Sequence, residues 1–328
     1  MSNALAKISL ANTGRTTTQL GFGGSGLMGG ISEKESLRLL EAAYDAGIRH
    51  FDVAPSYGHG AAERCLGKFL RGKYGQVTVT TKYGIEPPSH AGALDFARTF
   101  LRPGIRFAGK HMPSLRQRAA SAAAGLKGRA NFSVVQATAS LERSRRDLGL
   151  EHIDLWLLHE ATAADLAGNE LLDFLQEQVR LGHIGTFGVG GDVSHLPELW
   201  LRHAGYCGVL QFDWPGFIND DSTAYPGAFL IHHRLVQTSQ NLATRITRDP
   251  AISNRLALGD GPIDHGQVAA LLINAALFAY PKRMLLFSSR SPEHILANIR
   301  AAGDTKGPQR AEALREIFLS SQPGFTES

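Results

Sequence analysis

HFDVAPSYGHGAAERCLGKFL, residues 50–70, changes character twice. A short apolar run, 48–53, carries Asp52 near its end. A turn rich in Pro and Gly follows over 54–60. From about residue 61, Cys65, Leu66, Phe69 and Leu70 recur at helical spacing, with Glu63, Arg64 and Lys68 largely on the opposite side. The order is strand, loop, helix. An acid at the strand end and Tyr57 in the following loop would both stand at the rim where strands finish, which in α/β proteins is where ligands bind. Taken alone, the pattern fits equally an acid that caps a strand and a tyrosine that packs on the surface.

Two later stretches extend it. VTVTTK, residues 77–82, is a β-branched strand that ends in Lys82, and IDLWLLH, residues 153–159, is an apolar strand that ends in His159. Asp52, Lys82 and His159 thus each close a strand. In a parallel barrel the ends of consecutive strands converge on one mouth.

The rest of the chain reads as the same alternation. Residues 7–19 alternate weakly around Asn12-Thr13-Gly14, a hairpin signal. Residues 20–24 read as the first core strand. The Gly-rich loop 25–31 follows. Ser32 and Glu35 form a capping box that opens a helix running to about residue 46, before Gly47. Further helices are expected over 133–148, 171–181, 195–203, 265–280, 292–301 and 311–318. Further strands are expected over 184–189, 208–212, 228–232 and 284–287. In the 133–148 helix, Val135, Leu141 and Leu148 recur on one face, and Ser140, Glu142 and Arg143 point outward. Residues 240–256 read as broken helix. About eight strand and helix alternations are the signature of parallel βα units.

One segment interrupts the rhythm. Residues 84–132 hold no obvious strand, and Arg98, Arg102, Arg106, Lys110, Arg116, Arg118, Lys127 and Arg129 make the stretch basic. Residues 119–124 have helical character. An excursion of this length in a compact domain is usually functional or a solvated surface loop.

Composition narrows the function classes. The chain has 328 residues, enough for one (β/α)8 barrel with insertions. Apolar content of 43% and charged content of 20% describe a soluble globular protein. Lys and Arg number 34 against 30 Asp and Glu, a net charge of +4 with no long basic run, so nucleic-acid binding is not expected. Two widely separated cysteines, Cys65 and Cys207, make no disulfide framework, and a reducing cytoplasm is the expected setting. Neither a signal peptide nor an apolar run of membrane-spanning length is visible.

Asp52, Tyr57, Lys82 and His159 together resemble the Asp-Tyr-Lys-His tetrad of the aldo-keto reductases. The resemblance covers residues 20–298, and its best-matched motif is DAGIRHFDVAPSYGHGAAERCLGKFL, residues 45–70. It implies a single (β/α)8 TIM barrel over 1–328 with an N-terminal β-hairpin beneath it, a long insertion after the third strand (84–132) and a C-terminal extension (303–328). It also implies hydride transfer between NADP(H), with NADH as the alternative, and an aldehyde, ketone or sugar-like alcohol. In that role Tyr57 is the general acid/base. A free phenol has a pKa near ~10 and relays protons poorly at neutral pH. A neighbouring ammonium favours phenolate, so Lys82 should lower that value, with Asp52 keeping the ammonium charged. His159 would orient the carbonyl oxygen.

The cofactor positions follow from the same resemblance. The segment 286–298 is similar to the family's adenosine-phosphate grip, and a helix start with Ser hydroxyls and an Arg is an anion site. Ser288, Ser289, Arg290, His294 and Asn298 are the candidates there, although many NADPH-dependent members carry Arg where His294 stands. Gly24 and Ser25 open a loop that lets backbone approach a ligand. Its glycines do not give the GxGxxG spacing that leads into a helix. Gln211 matches a family Gln that meets the nicotinamide carboxamide. Gly190 and Gly191 stand where many members carry Ser-Asn, so their backbone or Asp192 would have to serve. His232-His233-Arg234 stands where an aromatic residue usually stacks on the nicotinamide, and Trp214 is the candidate for the pocket wall. Adjacent histidines on a strand face opposite ways, so no metal site is expected at His232 and His233.

Two other classes remain open from sequence: a cofactor-binding barrel that acts as a regulatory or partner protein, and a barrel lyase or isomerase that uses Lys82 and His159 without nicotinamide.

Overall fold

The computed structural model describes residues 5–86, 131–217, 221–235 and 265–319, with positions 242, 244, 252 and 256 between the last two segments. The expected basic insertion therefore lies almost wholly outside the described residues, as do the 119–124 helix, most of the broken helix over 240–256 and the last residues of the C-terminal extension.

Strands β1 (Lys7–Ser9) and β2 (Thr16–Thr18) pair antiparallel as the expected hairpin. Eight parallel strands then close a barrel: β3 (Leu20–Gly23), β4 (His50–Asp52), β5 (Thr78–Tyr83), β6 (Ile153–His159), β7 (Ile184–Gly190), β8 (Val209–Asp213), β9 (Phe229–His233) and β10 (Met284–Phe287), with β10 pairing β3. Helices α1 (Glu33–Asp45), α2 (Ala62–Leu70), α3 (Val134–Leu148), α4 (Glu170–Arg180), α5 (Leu196–His203), the single turn α6 (Asp221–Ala224), α7 (His265–Ala279) and α8 (Pro292–Ala302) alternate with them, and α9 (Gly307–Leu319) follows. The Ser32–Glu35 capping box forms as expected, and the Ser133 and Ser291 hydroxyls cap α3 and α8 by accepting from Gln136 N–H and His294 N–H.

Period-2 alternation sorts each strand into an inner and an outer set. Leu155, Leu157, Val209, Ile231, Met284 and Leu286 fill one side of the barrel lumen. Phe22, Phe51, Tyr83, Trp156, Leu158 and Phe212 face the helices. On the other side the lumen is polar: buried His50 bridges Thr78 and Thr80 at 2.9 and 3.1 Å. Strand ends inherit this order, so a residue's parity decides whether it reaches the mouth.

Two helical faces differ from the sequence reading. Glu63 turns inward and is 3% exposed, because its carboxylate accepts a hydrogen bond from Thr81 Oγ1 at 2.7 Å on the outer face of β5. On α3 the packed face is Ala137, Ser140, Leu141, Ser144 and Leu148, while Val135 is 80% exposed. The reason is close approach. A Cβ on Gly67 of α2 would stand 2.9 Å from the Leu148 carbonyl oxygen, so small side chains, serines included, occupy this helix contact.

Candidate active site

Asp52 and Lys82 point inward from the ends of neighbouring strands β4 and β5. Lys82 Nζ donates to Asp52 Oδ1 at 2.6 Å and to the Val53 carbonyl at 3.1 Å. Gln211, from the middle of β8, donates its Nε2 to Asp52 Oδ2 at 2.8 Å. Both carboxylate oxygens are thus engaged, and the ion pair is almost fully buried, with side-chain exposures of 3% and 4%. Exchanging a buried ion pair for apolar residues is often neutral or stabilising, so stability alone does not account for this one.

Tyr57 reaches the same place from the turn after β4. That turn, Tyr57–Gly60, carries left-handed backbone at Gly58 (φ 57°) and His59 (φ 55°). A side chain at 58 would stand 2.6 Å from the Leu27 carbonyl oxygen, so glycine lets the turn lie on the Gly-rich loop. Lys82 Nζ sits 5.2 Å from the Tyr57 ring centroid, where its charge acts directly on the phenol. His159, at the end of β6, meets the ring edge-on at 6.2 Å and 85°.

The electrostatics are only partly as expected. Burial works against charge on Lys82, but the Asp52 carboxylate and the Tyr57 phenol outweigh it, so its pKa lies above the ordinary lysine value. Burial pushes the Tyr57 phenol up, and Lys82 opposes that without cancelling it. The expectation of a lowered phenol pKa is corrected: Lys82 pulls in the expected direction, and desolvation is larger.

These four side chains share a cleft of about 620 Å³ at the strands' C-terminal ends. Gly190, Gly191, Gln211, Ser25 and Ser288 also line it. Gly24 is buried beside them, with Asp52's carbonyl oxygen 2.9 Å from where a Cβ would be. Ser25 and Ser288 hydroxyls meet at 3.3 Å, and Ser288 donates to the Gly23 carbonyl at 2.7 Å. Ser289 exchanges two 3.1 Å bonds with the Ser291 backbone. Arg290 reaches over the Gly-rich loop and donates to the Gly29 carbonyl at 3.0 Å. His294 is exposed on the first turn of α8, and Asn298 is buried one turn further on. This second group forms a rim beside the cleft.

Trp214 does not line the cleft, which corrects its expected place in the pocket wall. Parity explains it: Gln211 and Asp213 face in, so Phe212 and Trp214 face out. Trp214 packs edge-on against Phe217 and Phe318, at 5.0 and 6.1 Å. The histidines separate by the same rule. His233 lines the cleft and pairs with Asp213 at 2.9 Å. His232 is buried outside the barrel, 3.3 Å from Arg283, and burial first, then Arg283, pushes its pKa down to about 3. Among the described residues no group of His, Cys, Asp or Glu is arranged to hold a metal ion.

Among the cleft residues, Glu160 was not singled out in the sequence, and Arg234 stood there only as a departure from the family's aromatic. Each follows a strand-end histidine, and each adopts a φ of 60° despite carrying a side chain. Their left-handed backbone turns Arg234 onto Asp213 (3.0 Å) and brings the Glu160 carboxylate to the end of β7 (3.3 Å to the Asp192 N–H). The dipeptides His-Glu and His-Arg carry no signal for this conformation.

The comparisons with known proteins agree with this geometry. A model of the Aldo/keto reductase family matches residues 19–210. The chain is 32% identical over 204 residues to a D-threo-aldose 1-dehydrogenase from a Pseudomonas species, a match covering 59% of this chain and 56% of that one. It is 44% identical over 84 residues to a pyridoxal 4-dehydrogenase from Microbacterium luteolum, 25% of each. The first of these matches thus spans about half the relative's length, and the second a quarter. Among solved structures, an aldo-keto reductase from Bacillus halodurans in its holo form superposes with a TM-score of 0.67 at 18% identity, covering 94% of this chain and 96% of that one. One from Klebsiella pneumoniae in complex with NADPH superposes with a TM-score of 0.65 at 18% identity, covering 96% of each. Among the described residues no helix is long and apolar enough to cross a membrane. With the family model spanning more than half its length and the barrel closed around the four side chains its strands deliver, the chain belongs to the aldo/keto reductase family.

Proposed function

We propose that the protein is an NADP(H)-dependent oxidoreductase that interconverts an aldehyde or ketone with the corresponding alcohol, sugar-like alcohols included, with Tyr57 as the general acid/base. The observation that carries this reading is the buried ammonium of Lys82, held by Asp52 at 2.6 Å and set 5.2 Å from the Tyr57 ring centroid. In the reducing direction Tyr57 gives its proton to the carbonyl oxygen as negative charge grows there. Lys82 stabilises the phenolate that remains, and Asp52 keeps Lys82 charged where both are buried beneath the cleft. His159, across the Tyr57 ring, orients the oxygen. In the oxidising direction the same phenolate takes the proton from the alcohol.

The residues present suit a nicotinamide dinucleotide. Gln211 gives its Nε2 to Asp52, which leaves Oε1 as an acceptor turned toward Gly190, 3.2 Å from where a Cβ would be. That notch fits an amide donor such as the carboxamide. On the rim, Arg290, the serine hydroxyls and the Ser291-capped start of α8 supply donors and positive potential for phosphate. When bound, the cofactor supplies or accepts the hydride. Klebsiella pneumoniae aldo-keto reductases of the same fold, solved in complex with NADPH and with NADP and acetate, support the choice of cofactor.

The test is a fluorescence titration of the purified protein with NADPH and, separately, NADH, followed by turnover on a panel of aldehydes, ketones and aldoses. Saturable binding with NADPH the tighter ligand is expected, and turnover of at least one carbonyl class. Binding of neither nucleotide would leave the barrel standing and remove the hydride reading.

A further inference from the structure

Gly190 and Gly191 offer no side chain to the cleft, yet their backbone is held on both sides. Glu160 N–H donates to the Gly190 carbonyl at 2.7 Å. Gly191 N–H donates to the Gln211 carbonyl at 2.9 Å. Asp192 N–H donates to Glu160 Oε2 at 3.3 Å. The Asp192 carboxylate itself is committed to capping, since it accepts from Ser194 N–H at 2.8 Å.

Glu160 explains why residue 191 is glycine. A Cβ there would lie 3.0 Å from Glu160 Oε2 and 3.2 Å from Glu160 Cα, so the carboxylate takes the room a side chain at 191 would need. Glu160 reaches that position only through its left-handed backbone, φ 60°. A non-glycine residue in that region carries a cost of about 1–3 kcal/mol and persists where the surroundings fix it. Here its backbone N–H and its Oε2 both meet the loop that faces the cleft between His159 and Gln211.

We infer that Glu160 is a positioning residue for the nicotinamide end of the cofactor: it clamps the backbone of residues 190–192 so that this backbone and Gln211 Oε1 present a fixed edge to the carboxamide. The inference rests on the nicotinamide reading above. Glu160 touches no reacting atom. It does for a glycine pair, from the neighbouring strand end, what side chains at those positions would otherwise do.

The experiment compares two ligands on the full-length protein: NADPH, and 2′-phospho-ADP-ribose, which lacks the nicotinamide. Glu160→Ala is expected to weaken NADPH about tenfold, the equivalent of one lost charge-assisted hydrogen bond, and to leave 2′-phospho-ADP-ribose within about twofold. Glu160→Gln keeps an acceptor for Asp192 N–H and is expected to bind NADPH within about threefold of wild type. If the Ala variant does not fold, Glu160→Gly adopts the same φ without strain and removes the same carboxylate. NADPH affinity unchanged in the Ala or Gly variant overturns the inference. So does equal weakening of both ligands, or a Gln variant as weak as the Ala variant. Failure of the wild-type protein to bind NADPH is a separate outcome: it removes the nicotinamide reading and this inference with it.

Discussion

Two cation–carboxylate pairs of the same length stand at opposite ends of the barrel. At the mouth, Lys82 and Asp52 meet at 2.6 Å, and at the floor, Arg15 and Asp154 meet at 2.6 Å. The floor pair is a staple. Arg15, just before β2, also donates to the Gly75 and Val77 carbonyls at 3.2 and 2.9 Å, and Asp154 accepts from Val79 N–H at 2.8 Å. Every contact ends on backbone that joins the hairpin to β5 and β6. The mouth pair opens instead onto side chains: Gln211, Tyr57 and the cleft. Equal distance therefore means different things. In a parallel barrel, polar groups at the C-terminal end of the strands serve ligands, and those at the N-terminal end serve the fold.

Tyr57→Phe breaks the comparison at the mouth. It should lower kcat by roughly 10²–10⁴ while leaving NADPH affinity within a few-fold, since the phenyl ring keeps the packing against His159. Steady-state kinetics beside a binding titration decide it, and turnover kept within a few-fold would remove Tyr57 as the acid. Asp154→Ala is the matching change at the floor. It strands the Val79 N–H and leaves Arg15, which is already 31% exposed, to turn toward water. A loss of about 2–3 kcal/mol in unfolding free energy is expected, with kcat in the folded protein within about twofold. A fall in kcat as large as that of the mouth variant would show that the two ends are not independent.

The mouth was the legible end because strand parity and strand order are both written in sequence. Asp52, Lys82 and His159 each end an alternating or apolar run, and the βα rhythm brings such ends together. Parity also separated His232 from His233, yet Trp214 follows the same rule and was misplaced, because the strand's last inward residue is Asp213 and not Gln211. Glu63 was unreadable for another reason. A helical wheel sets an acid opposite the apolar stripe, but α2 packs between α1 and α3 with β5 beneath it, where a buried carboxyl has Thr81 as a partner. The left-handed backbone of Glu160 and Arg234 is a product of tertiary contacts and leaves no local mark. The floor staple joins Arg15 to Asp154 across 139 positions and three barrel strands, a pairing that periodicity cannot supply.

The lumen between the two ends offers a smaller test, through pH. His50 is fully buried between Thr78 and Thr80, and burial first, with Lys82 adding and Asp52 opposing, pushes its pKa down to about 4. A base whose folded pKa is depressed makes the unfolded chain the better proton acceptor, so stability falls as pH drops below the ordinary histidine value. The fall begins near pH ~6.5 and levels off near the folded value. Urea midpoints across pH 4–7 should show this slope. In His50→Gln, which keeps hydrogen bonding to the threonines without a titrating ring, the slope should flatten. An unchanged slope would assign the acid loss to other groups, His232 first among them.

The smallest expected effect has the opposite sign, and it comes from Glu63. Burial raises its carboxyl pKa, opposed by the hydrogen bond from Thr81. Below the ordinary glutamate value both folded and unfolded chains hold the proton, and the contribution is fully present. As pH rises, the unfolded chain gives up its proton first, so the contribution is lost through the folded pKa. Glu63→Gln cannot ionise, and its amide oxygen can still accept from Thr81. Its stability should match wild type in acid and exceed it increasingly as pH rises toward neutrality. Because Glu63 lies on the helix side of β5 and Lys82 on the lumen side, kcat should not follow. Denaturation midpoints of both proteins at pH 4 and 7, read beside their pH–rate profiles, separate the two faces of one strand. A pH–rate shift in the variant would mean that β5 carries the state of Glu63 through to Lys82.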